Sequence, residues 1–317
     1  MKEFKGFQEE LIEKLEQKLS ADINEGLTIE PIEMCKTNDV KLNGLKFNGL
    51  IDDEEKVVSP VCYIDEMYSR YAMGENIDDL ANEIVDILSR CVDVPADMDV
   101  ANENITFGDI RDNLYVRLLE KERNKGYLKD AVTKDVGGGL VYAVDLFIST
   151  PLGDEGRAVV TDSLVKTWGV SREEVIETAI RNTEKDKTPR LSTMSDALRG
   201  SRINLLNLPK GEHVSIDMGV LSYVPPENET VSAYGATALF FQGILEKIRN
   251  LLDSDYYILP SSVHEFLLLP MTEDQEPERL HEIVLSANRD VNLVNPEDVL
   301  SDKVYAYKNG RFAVEIG

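Results

Sequence analysis

The chain has few of the residues on which most site chemistry is built. Among 317 residues there are three cysteines (Cys35, Cys62, Cys91), three histidines (His213, His264, His281) and a single tryptophan, Trp168. An odd and small number of scattered thiols excludes a disulfide framework. The histidines show no paired spacing, and His281-Glu282 is followed by Leu285 where a zinc-protease helix would place its second histidine, so no metal is expected. No apolar run approaches the roughly 20 residues that span a bilayer. The N-terminus, Met1-Lys-Glu-Phe-Lys-Gly-Phe, has no apolar signal core, and a cytoplasmic protein with no membrane association is expected. Basic patches of any length are also missing. Phosphate-loop spacing is absent too, because no Lys or Ser/Thr follows Gly137-Gly-Gly139 at the required distance, so no cofactor is expected.

Acid is what the chain has in abundance: 59 acidic against 34 basic residues, a formal net charge of −25. Such a surface repels nucleic-acid backbones and anionic lipid, and directs attention to a protein partner instead. Two readings of the excess stay open: a solubilising surface, or mimicry of a DNA backbone toward a basic protein. The densest run, Asp52-Asp-Glu-Glu55, reads as a loop between strands.

With 42% apolar residues the chain can bury a substantial core. Phe4, Phe7, Leu11, Leu15 and Leu19 fall at helical spacing. Residues 27–35 and 40–50 read as two strands around a Lys36–Asp39 turn, and 57–63, carrying Pro60, reads as an edge strand. Ile77, Leu80, Ile84, Ile87 and Leu88 make one face of a helix. Residues 111–128 are expected to be helical with Leu114, Leu118 and Leu119 inward, and 140–148 to be a central strand. Ser171 followed by Glu174 is a capping box, flanked by Val170 and Val175 as a staple, and Trp168 anchors that corner by packing. Beyond it come extended pieces at 203–208 and 214–223, a long helix at 232–252 faced by Phe240, Ile244, Ile248 and Leu251, and a helix from Pro277. A last hairpin turns at Asn309-Gly310. The expected fold is α+β: mostly antiparallel sheets with helices packed on one face, in two units. The glycine run sets their boundary, with an N-terminal unit at 1–135 and a C-terminal unit of strand-strand-helix repeats at 136–317.

The segment Tyr256 to Pro270 is the most informative. Two apolar runs flank Pro260-Ser261-Ser262, and His264-Glu265 follows, which gives a strand, a corner and a returning strand with polar groups at the bend. Ser262, His264 and Glu265 are candidate hydrolase residues. In an extended chain, however, Ser262 and His264 share a face and Glu265 takes the other, so the three cannot form a local triad and an acid from elsewhere must serve. No Gly-x-Ser-x-Gly elbow occurs. The competing reading has the serines closing the turn through backbone hydrogen bonds. Tyr63, Asp65, Tyr68 and Tyr71 form a polar-aromatic strip on a helix at 64–73, suited equally to an interface or to capping a core at a seam.

Several segments together carry a resemblance. They are Ser59-Pro-Val-Cys-Tyr-Ile-Asp-Glu-Met-Tyr68 with Gly74, Arg117-Leu-Leu-Glu-Lys-Glu-Arg-Asn124, and Trp168-Gly-Val-Ser-Arg-Glu-Glu174. Ala179 with Asn182, Gly235-Ala236, Ile258-Leu-Pro-Ser-Ser-Val-His-Glu265 and Val299-Leu-Ser-Asp-Lys-Val-Tyr305 complete the set. Over nearly its whole length the chain resembles the domain-of-unknown-function family five-six-eight-eight, found in conjugative and integrative elements of gut Firmicutes. Its second half is similar to another Firmicutes family of cytosolic proteins. Neither resemblance supplies a catalytic residue, and at 131–140 the glycine run replaces what is often a Pro-His segment. The setting implies a non-enzymatic, protein-binding accessory of a mobile element that blunts a host defence. A hydrolase centred on Ser262 and His264 and a chaperone-like binding protein are the alternatives.

Overall fold

The computed structural model describes residues 3–19, 27–51, 57–58, 60–92, 106–149, 155–225 and 233–317. The fold is α+β, and every strand pair with a defined register is antiparallel. No helix among the described residues is long and apolar enough to cross a membrane. Two compact units emerge: residues 1–36, 40–102 and 148–156, and residues 37–39, 103–147 and 157–317. The units are interleaved along the chain, with the main changeover at 102/103 and a short return to the first unit at 148–156.

In the first unit, helix α1 (Phe4–Leu19) is followed by strands β1 (Thr28–Cys35) and β2 (Lys41–Asn48). Then come the short pair β3 (Leu50–Ile51) and β4 (Val57–Val58), strand β5 (Val61–Tyr63), and helices α2 (Asp65–Ala72) and α3 (Ile77–Val92). β5 is the edge of a β1-β2-β5 sheet, as Pro60 requires. The core joins Phe7, Leu11 and Leu15 of α1 to Leu45 and Phe47 of β2 and to Leu80, Ile84 and Leu88 of α3. The α1 periodicity holds at every position from Phe7 to Leu19, whereas Ile87 of α3, expected inward, is 37% exposed. Asp52–Glu55 lie outside the described residues.

The second unit opens with a short helix α4 (Phe107–Ile110), one 3-10 turn, and strand β6 (Leu114–Glu120). The expected helix at 111–128 is therefore a strand followed by turns. Six of the seven β6 residues are buried, so both faces are covered and the segment lacks the alternation that tells strand from helix. β7 (Thr133–Gly137) and β8 (Leu140–Ser149) form a hairpin, and β8 is central, pairing with β6, β7 and β9 (Glu155–Val159). The glycine run is the turn of that hairpin. Gly138 has φ +65°, and a Cβ there would sit 2.9 Å from both the Phe312 and Tyr305 rings, so the position needs glycine for conformation and for space.

Helix α5 (Asp162–Trp168) ends at Gly169, and α6 (Arg172–Asp186) starts at Ser171, whose hydroxyl accepts from the Glu174 N–H at 3.1 Å. Trp168 is buried, with its ring 6.2 Å from that of Phe107. After β10 (Pro189–Thr193) and α7 (Met194–Leu198), only β11 (Gly219–Tyr223) of the expected extended pieces is a strand. Residues 205–207 make a 3-10 turn because the Asn204 side chain takes the N–H of Leu206. The expected helix at 232–252 begins outside the described residues and is broken inside them. A 3-10 segment Gly235–Phe240 is separated from α8 (Ile244–Leu252) by Gly243, with φ +74°.

β12 (Tyr256–Ser262) and β13 (Glu265–Pro270) form the expected hairpin, with the bend at Val263-His264 and a register shift at Pro260/Ser262. Helix α9 (Pro277–Arg289) has Pro at its start and buries Leu280 and Val284, while Ile283 is 54% exposed. β14 (Val304–Lys308) and β15 (Arg311–Ile316) join across Asn309-Gly310, both at positive φ. The six strands pair in the order β10-β11-β13-β12-β14-β15. Replacing the Ser171 cap by alanine is expected to cost about 1 kcal/mol of stability, read as a lower urea midpoint at unchanged slope.

Candidate functional site

β6 and β8 each carry a charged residue in mid-strand among apolar neighbours: Arg117 in Leu114–Glu120, and Asp145 in Leu140–Ser149. The register sets Arg117 opposite Ala143, so Asp145, two residues on, is its diagonal neighbour on the same face. Arg117 Nε donates to Asp145 Oδ2 at 2.8 Å, with the side chains 3% and 1% exposed. The rest of the fork is also occupied: Nη1 donates to Thr37 Oγ1 and Nη2 to Tyr127 Oη, each at 3.0 Å. Burial alone would pull the Arg117 pKa down. Asp145 first, then Tyr127 and Tyr234, outweigh it, and the pKa ends above its ordinary value.

A second guanidinium approaches the same carboxylate. Arg157 Nε lies 3.5 Å from Asp145 Oδ2, and its Cζ stands 4.5 Å from the centre of the Tyr234 ring, which Arg117 also faces at 5.4 Å. Asp145 Oδ1 is buried and has no hydrogen-bond partner among the described residues. The tyrosine that both cations face is held in an unusual conformation, at φ +60°. Gly235 follows it so closely packed that a Cβ would fall 2.5 Å from the His264 carbonyl oxygen.

Tyr234 leads directly to the residues singled out from the sequence. Its backbone N–H donates to His264 Nδ1 at 3.0 Å, which puts the ring proton on Nε2 in the neutral imidazole, facing Asp298 Oδ1 at 3.6 Å. Asp298 is the acid from elsewhere that a hydrolase would need, yet among the described residues no serine is hydrogen-bonded to the imidazole. Ser262 Oγ accepts from the backbone N–H of His264 at 3.0 Å, and Ser261 Oγ lies 3.4 Å from Glu265 Oε1. The serines close the bend, and the hydrogen bond between nucleophile and base that acyl transfer requires is not made.

Tyr63, Asp65, Tyr68 and Tyr71, all half-buried, are taken up within the first unit. Tyr68 and Tyr71 pack on Phe7 with ring centres 5.4 and 5.0 Å away, Tyr63 lies under Lys36, and Asp65 accepts from the backbone and side-chain amides of Asn43. Among the described residues no group of three His, Cys, Asp or Glu side chains could hold a metal ion. Sequence reasoning missed Arg117, Asp145, Arg157, Tyr234 and Asp298. The usable signal was a charge in the middle of each of two largely apolar strands, since a buried charge needs a partner.

Two consequences can be measured. Asp145→Asn leaves the Arg117 charge buried without its counter-charge and is expected to cost roughly 3–5 kcal/mol, while the double change Arg117→Met with Asp145→Leu costs far less. Urea unfolding of both variants checks this. Asp298 is held below the ordinary carboxylate value of 3.8 by its hydrogen bond from His264, then by Asn295 and Arg157, against the cost of desolvation. A carboxylate with a depressed folded pKa stabilises the fold above its unfolded pKa and loses that contribution as pH falls through the folded value. The stability difference between the native chain and Asp298→Asn is therefore expected to narrow as pH is lowered from about 5 to about 3.

A family model matches residues 4–309, that of a family of unknown function, DUF5688. No curated protein and no solved structure matches.

Proposed function

The chain belongs to DUF5688, a family of unknown function, and from that premise we propose that it is a non-enzymatic binding protein whose acidic surface holds a basic protein. The observation that carries this reading is the contrast between two sets of polar groups. The candidate catalytic residues Ser262 and His264 are committed to bonds within the fold. The acid excess, by contrast, lies outside: helix α3 turns Asp79, Glu83 and Asp86 toward a groove of about 450 Å³, beside the exposed side chain of Ile87. Asp79 and Asp86 are in no ion pair among the described residues, and Arg70 answers Glu83. An apolar contact ringed by uncompensated carboxylates suits a Lys/Arg-rich segment with an apolar residue in it, and repels nucleic acid.

The resemblance to proteins of mobile elements supports a finer version, in which the basic partner is a nucleic-acid-binding or defence protein of the host. Mimicry of a DNA backbone is its strictest form. Affinity capture from a host lysate, in low salt and again in high salt, tests the reading. A basic partner is expected to be retained in low salt, released in high salt, and lost when Asp79→Lys and Asp86→Lys are combined. No partner at either salt, or capture indifferent to the charge reversal, overturns it.

A further inference from the structure

A cleft of about 680 Å³ lies in the second unit between the loop 205–213 and helix α8. That is the size range of small-molecule sites, roughly 300–1,000 Å³. One wall is a stripe of α8: Gly243, Glu246, Lys247, Asn250 and Leu251 recur at the spacing of a single helix face. Ile244, Ile248 and Leu252 meanwhile hold the helix against the core.

The other wall is fixed at both ends. At one end Asn204 Oδ1 accepts from the N–H groups of Leu191 and Leu206, each at 3.1 Å, and its Nδ2 donates to the Pro189 carbonyl at 2.9 Å. The Arg190 fork also donates to the carbonyls of Ser201 and Ile203. At the other end the Val214 N–H donates to the Leu251 carbonyl at 2.9 Å, and His213 Nδ1 lies 3.0 Å from the Asn250 carbonyl oxygen. Between these anchors the loop lines the cleft with Leu205, Leu206 and Leu208.

The charges of the cleft are balanced where those of the chain are not, two lysines standing with two glutamates. Lys210 and Lys247 both line it, and neither ammonium has a hydrogen bond or ion pair among the described residues. Of the two acids present, Glu246 accepts from Tyr307 Oη at 2.9 Å and lies 3.8 Å from Arg249, whose Nε is held by Asp255 at 2.8 Å, and Glu212 is the other. In a chain of net charge −25, an apolar cleft whose two ammonium groups have no partner among the described residues, while one of its two carboxylates is already hydrogen-bonded, favours one kind of ligand. A neutral apolar molecule leaves the lysines unmatched, and a small hydrophilic anion leaves the leucines uncovered.

We propose that this cleft binds a small single-chain amphipathic carboxylate, its chain on Leu205, Leu206, Leu208 and Leu251 and its carboxylate held by Lys210 and Lys247. The site is independent of the acidic groove on α3 and does not rest on the binding of a basic partner. Calorimetric titration of the full chain with decanoate, kept below its micelle concentration, tests it, with decanol and acetate as controls. Saturable one-to-one binding of decanoate is expected, with decanol weaker and acetate not binding. Lys210→Glu with Lys247→Glu is expected to lower decanoate affinity at least tenfold, and Leu208→Asp to lower it as well. All three positions are exposed, so an unchanged urea midpoint separates lost binding from lost folding. The proposal is overturned if decanoate does not bind, if the charge-reversed chain binds it equally, or if decanol binds as tightly. Sedimentation with phosphatidylglycerol vesicles without decanoate binding also overturns it, by assigning the lysines to a membrane surface.

Discussion

The ion pair between Arg117 and Asp145 is the interaction on which the rest of the second unit depends. Two charges at 3% and 1% exposure forfeit several kcal/mol of hydration each, and their mutual attraction repays this only if the remaining donors also find partners. Those donors reach Thr37 and Tyr127, while the Tyr234 ring faces the guanidinium and Arg157 approaches the same carboxylate oxygen. The pair thereby constrains the β6–β8 register, because a slip of one residue would send the two side chains to opposite faces. It also helps to hold the 37–39 turn, which is fixed further by Asn38 and by the Asp39 carboxylate on the Gly126 and Tyr127 N–H groups.

From that centre the polar network runs outward through Tyr234 to His264 and Asp298. Each link uses a group that a hydrolase would need uncommitted. The imidazole nitrogens face a backbone N–H and a carboxylate, and the Ser262 hydroxyl faces a backbone N–H. A histidine beside an aspartate is half of a catalytic arrangement in composition, but here its hydrogen bonds fix a bend and a left-handed tyrosine. The residues that looked most chemical in the sequence thus hold the backbone in place. The side chains proposed to meet other molecules are unremarkable in sequence: carboxylates on one helix, and two lysines beside a few leucines.

Much of the fold was legible where one face of an element is buried and the other is wet. The α1 stripe, the β1–β2 hairpin, the Ser171 cap, the Tyr256–Pro270 hairpin and the Asn309-Gly310 turn were all readable from local pattern. The reading failed where both faces are covered. β6 has six buried residues in seven, so it lacks the alternation that marks a strand. It also failed where a side chain or a close approach overrides propensity, as at Asn204 and at the Tyr234-Gly235 corner.

The sequence by itself determined the composition of the surface, the α+β class, the positions of most turns and caps, and the family, because charge, turn residues and amphipathic period are local properties. Only the tertiary structure decided what each polar residue does. Arg117 and Asp145 are 28 positions apart, Tyr234 and His264 are 30 apart, and Leu206 is joined to Lys247 only by the fold of the loop against α8. Whether a serine is a nucleophile or a turn bond, and whether a lysine is solvated or stands over an apolar cleft, depends on distances that no window of sequence contains. Those distances are fixed by packing and by the demand that every buried charge be answered.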